Sequence, residues 1–153
     1  MARPPVQSTD FAARVEIPVE WNNLDAFEHV NNTHFIRWFE SARIAYLDRC
    51  DLLDWMKSQS HGPILASVHC HYRRPVFFPD TVRVGASIMR LGGTSMIIYH
   101  GVFSLDQRRI VADGESHVVL FDYARQRPVR IPETFRARVD AAEQHRRPID
   151  EES

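Results

Sequence analysis

The chain has 153 residues, of which 44% are hydrophobic and 25% charged, and its 19 Lys and Arg residues against 20 Asp and Glu residues leave a net charge of −1. This composition is typical of one globular domain with a sizeable core. The near-zero charge excludes a global field that would recruit nucleic acid or an anionic membrane. No apolar run approaches the roughly 20 residues of a spanning helix, and residues 1–10 lack the apolar core of a leader peptide, so we expect a cytoplasmic protein.

The two ends of the chain are predicted to be tails. Residues 1–10 contain two prolines and show no periodicity, so we expect them to be disordered. Residues 138–153 are predicted to hold the end of a short surface helix, which opens near Pro132, and then a charged tail. Between these ends, residues 11–137 are predicted to form a single domain.

The first regular elements are a strand and a long helix. Val15, Ile17 and Val19 alternate with charged residues, which predicts a half-buried strand from Phe11 to Trp21. A helix is predicted from about Asn32 to Asp48. Its apolar residues recur at a spacing close to 3.6, at Phe35, Trp38, Phe39, Ala42 and Tyr46.

Four further strands follow the helix. Alternating apolar residues predict them at Ile64–Arg73, Thr81–Arg90, Thr94–Leu105 and Arg109–Tyr123. Gly92 and Gly93 mark the turn between two of them, and Gly114 is predicted to form a bulge or bend inside the last. One long helix and about five antiparallel strands predict the α+β class, with a short helix at the C-terminal end.

The loop between the first strand and the helix carries the residues suited to catalysis. Asp25 follows Leu24 and precedes Ala26 and Phe27, and a carboxylate in apolar surroundings needs a reason because burial penalises its charge. Such a carboxylate can activate a water or attack a carbonyl carbon itself. The alternative is that Asp25 forms an Asx-turn or caps the helix. The helix N-terminus exposes N–H groups that can hold a carbonyl oxygen or an oxyanion.

This region resembles a known family. Two consecutive motifs carry the resemblance, Trp21-x-x-x-Asp25-Ala-Phe-x-His29-Val-Asn-Asn and Phe35-x-x-Trp38-Phe-Glu40-x-Ala-Arg43. Together they resemble the signature of the hotdog-fold acyl-CoA thioesterases, in the 4-hydroxybenzoyl-CoA thioesterase-like subgroup. Weaker matches follow in the family's order at Tyr72-x-x-Pro75-Val-x-Phe-x-Asp80, Arg90-Leu-Gly92-Gly-Thr-Ser95 and Arg127-Pro-Val-Arg-Ile-Pro132. The resemblance covers roughly residues 12–137. It implies a hotdog fold, in which the sheet wraps around the helix, and hydrolysis of an acyl-CoA to a free acid and coenzyme A.

The resemblance also implies roles for individual residues. Asp25 would be the catalytic acid, as general base or as nucleophile, and the backbone N–H of Asn32 would hold the thioester oxygen. His29 would either take part in catalysis or position the carboxylate. Glu28 departs from the pattern, since glycine is common at that position.

Substrate contacts are expected on strand ends and turns. We predict substrate binding by four residues, of which the arginines would meet the phosphates of coenzyme A: Arg74, Arg90, Thr94 and Ser95. The sequence leaves open whether the acyl group is aryl or aliphatic and whether the carrier is coenzyme A or an acyl-carrier protein.

Metal binding is not predicted. His69 and His71 share one strand face and two such residues can bind a metal, but no third ligand is evident at a useful spacing. Surface or subunit-interface histidines are the favoured interpretation, and no cofactor is expected.

Assembly is expected from the exposed sheet. A single curved sheet over one helix leaves edges and apolar surface to cover. The apolar strand residues compatible with a subunit interface are Val82, Val84, Ile97, Val118 and Val119. The resemblance implies paired sheets with the active site between subunits, so we predict a homodimer or homotetramer. Two other functions stay open at this stage: a hotdog hydratase, and a non-catalytic protein that binds acyl-CoA or acyl-carrier protein.

Overall fold

The fold places one long helix against one face of a curled antiparallel sheet. A computed structural model of the chain describes residues 3–152. The helix is α1 (Asn32–Arg49), and the long strands are β2 (Ala13–Pro18), β3 (His61–Tyr72), β4 (Thr81–Leu91), β5 (Ser95–Ser104) and β6 (Arg109–Asp122). Short elements complete the chain, namely β1 (Asp10–Phe11), α2 (Leu52–Ser58), β7 (Arg127–Pro128), α3 (Glu133–Glu143) and β8 (Arg147–Pro148). None of the helices described over residues 3–152 is long and apolar enough to cross a membrane.

The main sheet has the strand order β2-β4-β5-β6-β3, and every pairing in it is antiparallel. The α+β class and the hotdog architecture predicted from the sequence are therefore confirmed. The first strand ends at Pro18 rather than Trp21, because Trp21–Asn23 form a 3-10 turn. The backbone N–H of Glu20 donates to the side-chain oxygen of Asn23 at 2.8 Å, which stabilises this turn.

The face of the sheet that meets α1 forms the core. All the apolar residues predicted for the helix face are buried, and Val82, Val84 and Val118 pack in the same cluster. The prediction that these residues are available to a subunit interface is therefore wrong for the three valines, whereas Ile97 and Val119 are half-buried and stay compatible with it. Alternation shows that a strand has an apolar face, but it does not show which element covers that face.

Gly114 is not a bulge. It pairs in regular register with Cys70 on one side and His100 on the other, and the register of β3 and β6 shifts instead between Leu65 and Ser67. A side chain at Gly114 would collide with the carbonyl oxygen of His69. Close approach of neighbouring backbones therefore requires the glycine.

A small polar cluster lies buried between α1 and the sheet. His100 stacks on Phe39 with ring centroids 4.5 Å apart, and its Nδ1–H faces the carbonyl of Gly85 at 3.1 Å. Ser116 Oγ lies 2.9 Å from His100 Nε2 and accepts from the guanidinium of Arg43 at 3.1 Å. This arrangement suits a neutral imidazole, and complete burial lowers the pKa of His100 to about 3.

The ends of the chain cover the opposite face of the sheet. β1 pairs with β8, and Phe11 and Ile149 pack with Tyr99 and Phe103 in a second buried cluster. We call residues 7–11 and 147–149 the terminal strap. Ile149 is 1% exposed, although the surrounding residues are charged. A lone apolar residue in a charged segment has no periodicity, so sequence patterns give no sign of this packing.

Candidate active site

The loop before α1 is closed on itself by backbone hydrogen bonds. The N–H of Asp25 donates to the carbonyl of His29, and the N–H of Glu28 donates to the carbonyl of Asp25, both at 3.0 Å. The N–H of Val30 donates to the carbonyl of Val76 at 2.8 Å, which ties the loop to the segment after β3. Glu28 has a φ of 66°, the left-handed region that favours glycine. The departure from the family pattern at this position thus falls on a strained backbone.

The two oxygens of the Asp25 carboxylate have different surroundings. Oδ1 accepts the N–H of Phe27 at 2.9 Å, which forms the Asx-turn that was the alternative role of this residue. Oδ2 lies 3.8 Å from Nδ1 of His29, and the Asp25 side chain is 25% exposed. One oxygen therefore holds the loop while the other faces the imidazole and the open side of the site.

The start of α1 leaves one backbone donor available. Asn31 caps the helix, since its side-chain oxygen accepts the N–H of Thr33 at 2.9 Å and its carbonyl accepts the N–H of His34 at 3.0 Å. Among residues 3–152, the N–H of Asn32 donates no hydrogen bond. The Tyr72 hydroxyl donates to the carbonyl of Asn32 at 3.0 Å, which holds the first turn against β3. This N–H lies at the positive end of the helix dipole.

Two neighbouring depressions adjoin this loop. The larger has a volume of about 690 Å³ and is lined by Trp21, Asn22, Leu24, Asp25, Glu28, Phe77 and Phe78. The smaller, of about 220 Å³, includes His29, Asn32, Tyr72 and Arg74. Trp21 is 74% exposed and Phe27 81% exposed, so large apolar side chains surround the carboxylate without cover from their own chain.

The structure brings together only part of the predicted site. Asp25 contacts His29, which shares a depression with Asn32 and Arg74. Arg90 and Ser95 line a separate cavity of about 420 Å³, and Thr94 lies in the same turn, where its carbonyl accepts the N–H of Leu120.

The separation follows from the strand register. Ser95 pairs with Val119 and Tyr72 pairs with Ala112, seven residues along β6 (119 − 112 = 7). At about 3.3 Å per residue the two places are roughly 23 Å apart. Within one chain, the turn that carries Arg90, Thr94 and Ser95 is therefore remote from the carboxylate.

One group of residues that the structure brings together carries no signal in the sequence. His69, which the sequence pairs with His71, lies beside Glu115 and His117 on the face of the sheet turned away from α1. The sequence showed no third side chain close to the two histidines of β3, and the structure places Glu115 and His117 of β6 beside His69. Only the register between β3 and β6 shows this proximity, and no local spacing encodes that register.

A curled antiparallel sheet around one long helix is the architecture of hotdog-fold thioesterases. The sequence profile of the thioesterase-like superfamily matches residues 19–139. The chain therefore belongs to the thioesterase-like superfamily, and it is a thioester hydrolase.

Individual relatives agree with this assignment. The long-chain acyl-CoA thioesterase FadM of Escherichia coli K12 is 24% identical over 127 residues, which are 83% of this chain and 96% of that protein. A thioesterase from Thermus thermophilus, solved with coenzyme A and zinc, is 32% identical with a TM-score of 0.76 and covers 88% of this chain and 97% of its own. The DHNA-CoA thioesterase of Staphylococcus aureus, 16% identical with a TM-score of 0.75 over 86% of this chain and 89% of its own, shows the fold alone.

Proposed function

We propose that the protein hydrolyses acyl-CoA thioesters, with Asp25 as general base or nucleophile and the N–H of Asn32 as the oxyanion donor. The observation that carries this proposal is the Asp25 carboxylate, which is fixed through one oxygen and open at the other, beside an unpaired N–H at the start of α1. One relative is named a long-chain acyl-CoA thioesterase and another was solved with coenzyme A, and both support coenzyme A as the carrier.

In the general-base route, Asp25 takes a proton from a water whose oxygen attacks the thioester carbonyl carbon, and the carbonyl oxygen becomes an oxyanion near the N–H of Asn32. The oxyanion collapses, the carbon–sulfur bond breaks, and the coenzyme A thiolate leaves and takes up a proton. In the nucleophile route Asp25 attacks the same carbon, the carbon–sulfur bond breaks, and the coenzyme A thiolate leaves and takes up a proton. Water then hydrolyses the resulting mixed anhydride, which releases the free acid and restores the Asp25 carboxylate.

His29 positions the carboxylate in this proposal. Its Nδ1 lies 3.8 Å from Asp25 Oδ2, which is beyond hydrogen-bond length and within ion-pair range. Arg74 lies in the same depression as His29, where its guanidinium suits a phosphate of coenzyme A. Arg90, Thr94 and Ser95 would then contact the substrate from a second copy of the chain, since they are remote within one chain.

The acyl group is proposed to be large and apolar. The depression beside Asp25 has a volume of about 690 Å³, and three of its lining residues are Trp21, Phe77 and Phe78. These side chains are about half exposed or more, so they can pack on an aryl group or on a long alkyl chain.

Replacement of Asp25 tests the proposal. We expect Asp25→Asn to fold normally and to lose at least about 100-fold in kcat, because a general base contributes roughly 10² to 10⁴ in rate. The measurement is thiol release from a panel of aliphatic and aryl acyl-CoAs, followed with a thiol-reactive dye.

Asp54→Asn is the matched control, since Asp54 is an exposed acid on α2. Full activity in Asp25→Asn would reject the role of that residue. Absence of thiol release from the unmodified protein, together with tight acyl-CoA binding, would support the non-catalytic alternative instead.

A further inference from the structure

Three metal-ligating side chains meet on the face of the sheet that points away from α1. Glu115 and His117 are two residues apart on β6, so they project from the same face. His69 of β3 is the register partner of Glu115. One ligand atom from each of the three lies within 4.8 Å of the others.

Two of the possible ligand atoms are already as far apart as two ligands of one metal ion. His117 Nε2 lies 3.2 Å from Glu115 Oε2. Ligands held at 2.0–2.1 Å around a tetrahedral Zn²⁺ are roughly 3.3 Å apart. All three residues belong to paired strands, and His69 stands directly opposite Glu115, so the backbone holds the three side chains next to one another.

The surroundings support such a site. The other oxygen of Glu115, Oε1, accepts from the side-chain amide of Gln7 at 3.3 Å, which orients the carboxylate as outer contacts do in metal sites. The nearby Asp113 is ion-paired with Arg73 at 2.6 Å, so its charge is already balanced. His117 is 40% exposed, which gives an ion access from solvent and leaves room for a water ligand.

We propose that His69, Glu115 and His117 bind one divalent transition-metal ion of the Zn²⁺ type. Two imidazoles and one carboxylate are a donor set that Zn²⁺ accepts, with water or the neighbouring His71 in the fourth position. The rings of His69 and His71 are 5.2 Å apart. The ion links the edge strand β3 to β6, on the side of the sheet opposite α1, so it does not touch a thioester at Asp25.

Calorimetric titration tests the site directly. The full chain, without a histidine tag and freed of metal with a chelator, is titrated with ZnCl₂. We expect one ion per chain, and we expect His69→Ala and His117→Ala each to weaken binding at least tenfold. His145→Ala, which removes an exposed histidine after α3, and Asp25→Asn, which alters the His29–Asp25 pair away from the cluster, serve as controls with unchanged affinity.

Thermal unfolding gives a second readout, because an ion that binds only the folded chain raises the Tm. Zn²⁺ is expected to raise the Tm of the unmodified protein and of Asp25→Asn, and to leave that of a His69→Ala, His117→Ala double variant unchanged. Equal binding by the double variant, or loss of binding in Asp25→Asn alone, would overturn the proposal. Absence of binding at 100-fold excess of Zn²⁺ would do the same, and the three residues would then be a hydrogen-bonded surface cluster.

Discussion

Glu28 is one of five non-glycine residues that adopt a positive φ within residues 3–152. Its φ of 66° places a residue with a Cβ in the left-handed region, one position before His29. Its carboxylate also lines the same depression as that of Asp25. A residue three positions from the proposed catalytic acid therefore carries both backbone strain and a second negative charge.

Two substitutions at Glu28 separate these effects. Glu28→Gly and Glu28→Ala both remove the carboxylate, but only glycine adopts a positive φ without a steric penalty. We expect the Gly variant to have the larger free energy of unfolding, by about 1 kcal/mol, in urea titrations. Equal stability of the two variants would show that the loop changes conformation when the side chain is removed.

Some residues of the candidate site could be placed from the sequence and others could not. Asp25, His29 and Asn32 lie in one short motif, so local spacing was enough to predict their proximity. Arg90 and Ser95 could not be assigned a position relative to Asp25, since that depends on a strand register over many residues. The His69, Glu115 and His117 cluster was missed for the same reason.

At the scale of elements, α1 and the sheet are joined by a buried polar contact as well as by apolar packing. His100 is fully buried under Phe39 and shares Ser116 with Arg43. The periodic pattern of α1 predicted its buried face correctly. It did not predict that a histidine of β5 lies beneath that face, because hydrophobic periodicity identifies apolar positions only.

This histidine makes folding stability depend on pH. Burial lowers the pKa of His100 from its ordinary 6.5 to about 3. Above pH 6.5 the imidazole is neutral in the folded and the unfolded chain, so His100 does not reduce the free energy of unfolding. Below pH 6.5 the unfolded chain binds a proton at this residue that the folded chain does not bind. The free energy of unfolding therefore falls as the pH is lowered to about 3.

The His100→Gln variant isolates the effect. Between pH 7 and pH 4.5 we expect the unmodified protein to lose on the order of 2 to 3 kcal/mol more unfolding free energy than the variant. Urea unfolding at the two pH values measures the difference. Parallel pH dependence of the two proteins would mean that the imidazole is protonated inside the fold.

At the scale of the whole molecule, β3 is the long unpaired edge of the sheet. It has 12 residues and ends the strand order, whereas the opposite edge, β2, is half as long with 6 residues and ends at a proline. A long free edge is a site for pairing with another chain. The exposed aromatics around Asp25 are a second surface without cover.

We therefore expect two or four copies of the 17.8 kDa chain to associate, with β3 at the contact. Ala66→Pro is the informative variant, because Ala66 falls in the register shift of β3 and proline is tolerated at such a position. Light scattering at micromolar concentration should give a lower mass for this variant, with an unchanged circular dichroism spectrum. A monomeric unmodified protein would contradict the proposal.

The terminal strap has a consequence for the order of folding. Its pairing joins Asp10 to Pro148, residues 138 positions apart (148 − 10 = 138), through only two residues on each side. Contacts of such sequence separation form when the intervening chain is already compact, so docking of the strap is a late kinetic step and its release an early one. Native-state hydrogen exchange measures the early release of the strap. The amide of Ile149, which donates to Thr9, is expected to exchange through a local opening. The amide of Leu120, which donates to Thr94, is expected to exchange only through global unfolding.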